Sequence, residues 1–309
     1  MTGRVVLSLC ALLAACRPTP SSESSSATAT AEAYVPYLER KASHQTKLRV
    51  DAPSSRRFEA GFVPEGAQEV RYRSGEHELL AWLAVPENTM GPRPALIYFH
   101  GDFALAGHDF EAVRPFLDAG LVVMTPALRG ENGNPGRLEL LYGEIDDAAA
   151  AVEWLAARPE VDPQRIYAVG HSIGGAVSAM LALYPDTPLR FTASVGGIYV
   201  PETFQRWSRS RSNEELVRFD AFDPMEGNLR TLGPNARDLV HAHHAYIGEG
   251  DTWFHPNAEA VLAEAKRWDR PFTMEYIAGD HMSSLEPALQ RFLVRVQADL
   301  DSAPKADHP

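Results

Sequence analysis

From about residue 58 onward, hydrophobic and polar positions follow two alternating periods. Apolar residues at every second position, at Val70 and Tyr72 and again at Leu80, Trp82 and Ala84, predict an opening pair of antiparallel strands. Apolar runs further on predict strands at residues 94–99, 121–124, 165–169, 191–195, 240–247 and 272–277. Apolar residues at helical spacing predict helices at residues 111–119, 145–156, 173–184, 258–268 and 285–296. This alternation predicts an α/β fold with a mostly parallel eight-stranded sheet and helices on both faces.

The N-terminus has the pattern of an export signal rather than of a folded element. A single charge at Arg4 precedes an apolar run that is too short to span a bilayer. The run ends in Leu13-Ala-Ala-Cys16, which resembles the lipobox of bacterial lipoprotein signal peptides. That resemblance implies a signal peptide at residues 1–15 and a lipid on Cys16 that anchors the protein to a membrane; a simple secretory signal is the alternative. The resemblance also implies a location in the bacterial cell envelope, and Arg17 favours the outer membrane, with the protein facing the periplasm.

Composition divides the rest of the chain into segments. Residues 16–55 are rich in Pro, Ser, Thr and Ala, which predicts a lipidated flexible tether, with a short helix at residues 34–41. A folded domain is predicted at residues 56–302 and a disordered tail at residues 303–309.

Charge and cysteine usage narrow the classes of function. The formal charge of −12 argues against a nucleic-acid partner, which would require a basic face. The only two cysteines of the 309 residues are Cys10 and Cys16, so the folded domain cannot form disulfides and must rely on its core.

The strongest chemical signal is a serine between a predicted strand and a predicted helix. Residues 165–169 lead directly into Gly170-His-Ser172-Ile-Gly174-Gly175, and the helical pattern begins at once. Such a strand–turn–helix holds a serine hydroxyl clear of the backbone, in a strained conformation that flanking glycines permit. Ser172 is therefore the predicted nucleophile.

A serine nucleophile requires an adjacent base and an acid that orients the base. In this architecture the three residues follow the chain order serine, acid, histidine, each after its own strand. Asp251 follows the strand at residues 240–247 and is the predicted acid, with Glu249 as the alternative. His281 follows the strand at residues 272–277 and is the predicted base.

The reaction also requires two donors for the oxyanion of the tetrahedral intermediate. The backbone N–H of Ile173, next to the nucleophile, is the first prediction. The second donor is expected in the loop after residues 94–99, where the N–H of Asp102 is favoured over that of Phe103. His100, in the same loop, is interpreted as a structural residue.

Two further groups have more ordinary interpretations. His241, His243 and His244 resemble a metal-ligand cluster, but they fall within one predicted strand whose alternate side chains point to opposite faces. We therefore predict neither a metal site nor a cofactor. Three arginines could bind a substrate carboxylate, although a solvated face is the favoured interpretation: Arg206, Arg209 and Arg211.

These motifs resemble the α/β-hydrolase superfamily, in particular the catalytic domain of the prolyl oligopeptidase family and the dienelactone-hydrolase-like enzymes. The matching segments are Tyr98-Phe-His-Gly101, Ala127-Leu-Arg-Gly130 with Gly133, residues 144–155, Val161-Asp-Pro-Gln-Arg-Ile166, the Ser172 motif, Gly248-Glu-Gly-Asp251 and Asp280-His281. The resemblance covers about residues 68–300 and implies the α/β-hydrolase fold, with a small cap insertion at residues 198–238.

The departures from these families bear on substrate. A tether and one strand pair stand where oligopeptidases carry a propeller, so we expect no propeller to limit peptide size. The serine nucleophile differs from the cysteine of dienelactone hydrolases. We expect an exported serine hydrolase that acts through an acyl-enzyme on ester or short-peptide acyl groups and resembles prolyl-oligopeptidase-type peptidases. The alternative is a carboxylesterase of small or cell-wall-linked acyl esters, and a non-catalytic binding lipoprotein is less favoured.

Overall fold

Eight strands form one sheet in the computed structural model, which describes residues 34–49, 56–87, 90–210 and 213–302. The strands are β1 (Gln68–Ser74), β2 (His77–Ala84), β3 (Arg93–Phe99), β4 (Val122–Pro126), β5 (Val161–His171), β6 (Phe191–Val195), β7 (His243–Gly248) and β8 (Phe272–Ile277). The helices are α1 (Tyr37–Ser43), α2 (Gly107–Asp118), α3 (Gly143–Ala156), α4 (Ile173–Leu181), α5 (Pro201–Ser208), α6 (Pro224–Arg230), α7 (His255–Arg267) and α8 (Leu285–Ser302), with a 3₁₀ helix at Gly233–Asp238.

The strand order is β1-β2-β4-β3-β5-β6-β7-β8. β2 pairs antiparallel with both β1 and β4, and the remaining neighbours pair parallel. This confirms the predicted fold class and the antiparallel opening pair. The loops that follow the parallel strands meet along one edge of the sheet, which is where ligands bind in open α/β sheets.

Alternation along β3 shows why the central strands are apolar throughout. Ala95, Ile97 and Phe99 belong to one hydrophobic cluster, while Leu96 and Tyr98 belong to the cluster on the opposite face. All five are at most 1% exposed. A strand covered by helices on both faces needs apolar side chains at every position, and the sheet therefore has a core on each side.

Most predicted elements differ from the structure by a few residues at one end or both, and two of them show a physical reason. β7 begins at His243 rather than at residue 240, because the N–H groups of Val240 and His241 donate to the carbonyl of Ala182 instead of joining the sheet. Helix α4 ends at Leu181 rather than at residue 184. Pro185 follows shortly, and the residue before a proline is disfavoured in helical conformation.

The prediction of a flexible tether as far as residue 55 is wrong for its last part. α1 lies within the compact unit that begins at Val35, and Tyr37 is 1% exposed. The N–H of Tyr37 donates to the Asp238 carboxylate, and the Lys41 ammonium pairs with the Asp146 carboxylate. Only Tyr37 and Lys41 of α1 are buried, so the helix shows no sustained apolar period and the sequence did not reveal its packing. The predicted signal peptide, Cys16 and the tail at residues 303–309 lie outside the described residues.

The predicted insertion at residues 198–238 contains α5, α6 and the 3₁₀ helix. Its polar sequence still supplies buried anchors, since Phe204 and Phe219 are at most 1% exposed and stack against each other. The Asp223 carboxylate accepts the N–H of Met225 and caps α6. Across the described ranges, no helix combines the length and the apolar character needed to cross a membrane.

Candidate active site

Ser172 is the single residue between a strand and a helix. β5 ends at His171 and α4 begins at Ile173, and Ser172 has φ 54° and ψ −116°. This is the strained turn that the sequence predicts. A Cβ on Gly170 would lie 2.1 Å from the carbonyl oxygen of Gly174, and a Cβ on Gly174 would lie 2.1 Å from that of Phe99. The helix can therefore follow the strand so closely only because both positions are glycine.

The structure brings the three predicted triad side chains together. The Ser172 Oγ lies 3.0 Å from His281 Nε2, and His281 Nδ1 lies 2.6 Å from Asp251 Oδ2. An ionised carboxylate can only accept, so Nδ1–H donates to Asp251 and Nε2 is left to accept the serine proton. Asp251 is 8% exposed, in the turn after β7, whereas Glu249 lies exposed at the end of that strand. The carboxylate that accepts from His281 is therefore that of Asp251, the acid that the sequence favours.

Two rings hold the imidazole of His281 in place. Phe254 stacks on one side, with ring centroids 4.8 Å apart and planes 16° apart. His171 lies 5.0 Å away, and its Nε2–H donates to the carbonyl oxygen of His281 at 2.9 Å. Burial lowers the pKa of His171 to about 4, so this ring stays neutral beside the triad. The sequence does not predict this role for His171, because its partner lies 110 residues away along the chain.

Gly196 lies directly beneath the predicted triad, and it was not among the residues predicted from the sequence. Its φ is 60°, in the left-handed region, and a Cβ there would lie 2.9 Å from His281 Nδ1 and 3.4 Å from Asp251 Oδ2. The neighbouring carbonyl of Val195 accepts the N–H of Ser172 at 2.8 Å. The end of β6 thus supports all three members of the triad. A glycine directly after a predicted central strand was the available signal.

The predicted oxyanion residues flank Ser172. Ile173 is the first residue of α4, where a backbone N–H has no partner within the helix. Asp102 has φ 60° in the loop after β3, and its carboxylate pairs with Arg56 at 3.0 Å. Gly101, Asp102, Phe103 and Ile173 all line the cavity into which Ser172 opens.

A buried ion pair anchors the loop after β3, residues 100–106, which carries the predicted oxyanion donor Asp102. His100 Nε2 lies 3.1 Å from Glu131 Oε2, and both side chains are 3% exposed. Burial opposes the charged imidazole, but Glu131 outweighs it and raises the pKa of His100 to about 9. The other ring nitrogen donates to the carbonyl of Gly101 at 2.9 Å, and the Glu131 carboxylate also accepts the N–H of Leu128. His100 therefore joins two loops behind the site.

The cavity at Ser172 has a volume of about 420 Å³. Its apolar walls come from Phe103 and Ile173 beside the nucleophile, Trp207 on α5 and Leu285 at the start of α8. The rings of Phe103 and Trp207 lie 5.9 Å apart, so the insertion forms part of the wall. Charged or titratable side chains also line the cavity, among them Arg56, Asp102, His108 and Asp109.

The histidine and arginine groups set aside from the sequence have partners elsewhere. His241 contacts the carbonyl of Tyr184, His244 contacts Thr273, and His243 is buried between Thr192 and Ser194. Within the described ranges, no three His, Cys, Asp or Glu side chains are grouped as metal ligands. Arg206 lies over the ring of Trp253 and Arg209 over that of Phe222, while Arg211 lies outside the described residues.

Sequence and structure comparisons identify the family. The Alpha/beta hydrolase family matches residues 96–309, and the chain belongs to it. An uncharacterized protein of Mycobacterium tuberculosis is 34% identical over 146 residues, which are 45% of this chain and 51% of that protein. The chain thus spans about half the length of the curated relatives it matches.

Solved structures share the fold at low identity. A puromycin-hydrolyzing peptidase of Mycobacterium tuberculosis has a TM-score of 0.65 at 18% identity, over 79% of this chain and 40% of that one. An esterase of Pyrococcus furiosus has a TM-score of 0.64 at 19% identity, over 83% of this chain and 98% of that one. The chain thus has the fold of this family, with a serine, a histidine and a carboxylate in contact at the edge of the sheet.

Proposed function

We propose that the protein hydrolyses acyl substrates through a covalent intermediate on Ser172. The observation that carries this proposal is the hydrogen-bonded line from Ser172 through His281 to Asp251, at 3.0 and 2.6 Å, opening into a cavity. Ser172 Oγ attacks the substrate carbonyl while His281 Nε2 takes its proton. His281 then protonates the leaving alcohol or amine, and a water repeats the sequence to release the acid and free the serine.

Asp251 and the backbone have supporting roles in this mechanism. The carboxylate holds the Nδ1–H tautomer of His281 and stabilises the imidazolium that forms in each half-reaction. The N–H groups of Ile173 and Asp102 are the proposed donors to the oxyanion, with Phe103 as the alternative to Asp102. The left-handed conformation of Asp102 supports this choice, because it turns the loop at the cavity wall.

The proposed substrates are small esters or short peptides with an uncharged acyl group. Phe103, Ile173, Trp207 and Leu285 make the wall beside Ser172 apolar. The charged groups at the cavity face one another, Arg56 with Asp102 at 3.0 Å and His108 with Asp109 at 3.8 Å, which supports neutral over charged acyl groups. A carboxylesterase of small or cell-wall-linked acyl esters is the alternative within the same mechanism. A binding protein without turnover is disfavoured, because such a role requires no aligned proton path.

A substrate panel distinguishes the two hydrolase proposals. We would compare p-nitrophenyl esters of increasing acyl length with aminoacyl and N-acylaminoacyl amides, using Ser172→Ala as the blank. Turnover of both esters and amides supports the ester-or-peptide hydrolase, and turnover of esters alone supports the carboxylesterase. Absence of Ser172-dependent turnover on every member of the panel would contradict both.

We also propose export and lipid anchoring, on the pattern that ends at Cys16. The intact protein would be expressed in a Gram-negative host and fractionated, and its mature N-terminus determined by mass spectrometry. We expect an acylated Cys16 in the membrane fraction and loss of membrane association in Cys16→Ser. An N-terminus at Met1, or an unmodified Cys16 in a soluble fraction, would contradict the anchor.

A further inference from the structure

A buried chain of hydrogen bonds runs beneath the triad. It begins at Thr192 Oγ1, 2.7 Å from His243 Nδ1, and continues from His243 Nε2 to Ser194 Oγ at 2.7 Å. Ser194 Oγ lies 2.6 Å from the hydroxyl of Tyr199, which in turn lies 3.3 Å from the N–H of Gly197. The four side chains are fully buried, at 0% exposure. None of them belongs to the triad or to the cavity wall.

The direction of this chain follows from which groups can donate. The N–H of Gly197 only donates, so the Tyr199 hydroxyl accepts from it and gives its own proton to Ser194. The Ser194 hydroxyl then donates to His243 Nε2, and His243 Nδ1–H donates to Thr192. The opposite direction would leave the buried Tyr199 proton without an acceptor in the described structure, at a cost that proteins rarely tolerate. Burial lowers the pKa of His243 to about 3, which keeps the ring neutral as the chain requires.

The chain ends at the turn on which the triad rests. Gly197 follows Gly196, whose Cβ position lies 2.9 Å from His281 Nδ1 and 3.4 Å from Asp251 Oδ2. Asn257 closes the same turn from the other side, because its amide donates to the Gly197 carbonyl at 2.8 Å and accepts the Tyr199 N–H at 2.7 Å. The turn has no side chain at residues 196 and 197 to fix its position. The Gly196 N–H donates to the carbonyl of Tyr246 at 3.0 Å, and Gly197 is held by the hydroxyl of Tyr199 and the amide of Asn257.

We propose that Tyr199 and His243 are positioning residues for hydrolysis. They fix the position of the Gly196-Gly197 turn beneath the triad and, through it, the hydrogen bond between His281 and Asp251. The role rests on the proposed acyl transfer at Ser172. Catalysis is sensitive to such placement, because a shift of about 1 Å in a supporting group can cost about a hundredfold in rate. Neither residue touches the substrate, so binding should change little.

Tyr199→Phe tests the proposal, with Tyr98→Phe as its matched control. Both remove one hydroxyl from a fully buried tyrosine, but the Tyr98 hydroxyl has no hydrogen-bond partner among the described residues. With active sites counted by covalent titration of Ser172, we expect Tyr199→Phe to lower kcat about tenfold, with KM within about twofold. Tyr98→Phe should keep the wild-type kcat and KM. Equal kcat per active site in both variants, even with a lower Tm for Tyr199→Phe, would overturn the positioning role.

A second pair of variants covers the case in which Tyr199→Phe does not fold. In His243→Gln the side-chain oxygen can accept from Ser194 and the amide can donate to Thr192, so kcat should stay closer to wild type than in His243→Leu. A larger loss in the glutamine variant than in the leucine variant would contradict the chain.

The direction of the chain can be read from the wild-type protein without any activity. Nitrogen-15 NMR should show His243 neutral down to about pH 4, with its proton on Nδ1. A proton on Nε2, or a ring that titrates near pH 6.5, would overturn the assignment. Failure of the proposed function would look different, since the wild type would then lack Ser172-dependent turnover while this NMR signature persisted.

Discussion

The sequence leaves two candidates for the acid of the predicted triad, Asp251 and Glu249. The geometry of the structure separates them. Asp251 lies 2.6 Å from the His281 ring and is 8% exposed, whereas Glu249 is exposed at the end of β7. Replacing Asp251 with Asn keeps the shape, but it removes the negative charge and introduces an NH2 donor that favours the wrong tautomer of His281. We expect kcat to fall about 10³- to 10⁴-fold in Asp251→Asn, measured by steady-state ester hydrolysis.

Glu249→Gln is the matched control for that measurement. It neutralises a carboxylate two residues away in the same turn and should leave kcat within about twofold, since surface substitutions away from a site have small effects. Loss of activity in Glu249→Gln together with retention in Asp251→Asn would show that the acid is assigned to the wrong residue.

Gly196 offers a second prediction at the residue scale. A methyl group there would lie 2.9 Å from the His281 ring and would also strain a backbone with φ 60°. Gly75 has nearly the same φ, 55°, with no atom within 4 Å of its Cβ position. Both alanine variants should lose about 1–2 kcal/mol of stability from backbone strain, but only Gly196→Ala should lose hydrolytic activity. Thermal unfolding and kcat per active site separate the two effects. Full activity in Gly196→Ala would contradict the supporting role of Gly196 beneath the triad.

The loop after β3, residues 100–106, is the element that should make the stability of the protein depend on pH. The pKa of His100 is raised from 6.5 to about 9 in the folded protein by Glu131. A raised pKa contributes stability that is fully present below about pH 6.5 and is lost as pH rises through about 9. We expect the unfolding free energy of the wild type, relative to His100→Gln, to decline by up to about 3 kcal/mol between pH 6 and pH 10. Denaturant titrations across this range measure it, and a pH-independent difference would show that the pair is not ionic.

Elements differed in how far their sequence could predict them. β6, a central parallel strand that is buried at every position, begins and ends at the predicted residues. The edge strand β8 does so too, between Pro271 and Gly279. α5 and α6 were not predicted, since helices of 8 and 7 residues are too short to show a period. The triad could be predicted because its members follow strands in a fixed order. The residues beneath it could not, because the partnership of Tyr199, Ser194 and His243 exists only once β6 and β7 pair.

At the scale of the whole molecule, a buried arginine joins the N-terminal segment, residues 35–49, to the insertion at residues 198–238. Arg230 is 0% exposed, pairs with the Glu226 carboxylate and donates to Thr46 at 2.8 Å and to the Glu139 carbonyl at 3.1 Å. Glu226 also contacts His44, 3.0 Å away. α1 and the residues after it therefore stabilise the insertion that forms one wall of the cavity.

Arg230→Leu should destabilise the protein by about 3–5 kcal/mol, because it leaves the Glu226 carboxylate buried without its main partner. The control is Arg71→Leu, which breaks an exposed pair with Glu69 and should cost less than about 1 kcal/mol. Chemical denaturation measures both. Equal, small losses in the two variants would mean that the N-terminal segment and the insertion are held together by other contacts.

The central claim is that Ser172 is a nucleophile activated by His281, and covalent trapping tests it most directly. A fluorophosphonate would be added to the folded wild-type protein and the modified residue located by peptide mass spectrometry. We predict one equivalent of label, on Ser172, with no label in Ser172→Ala and labelling slowed by at least about a hundredfold in His281→Ala. Absence of label from the folded wild type, or equally fast labelling of His281→Ala, would contradict the account.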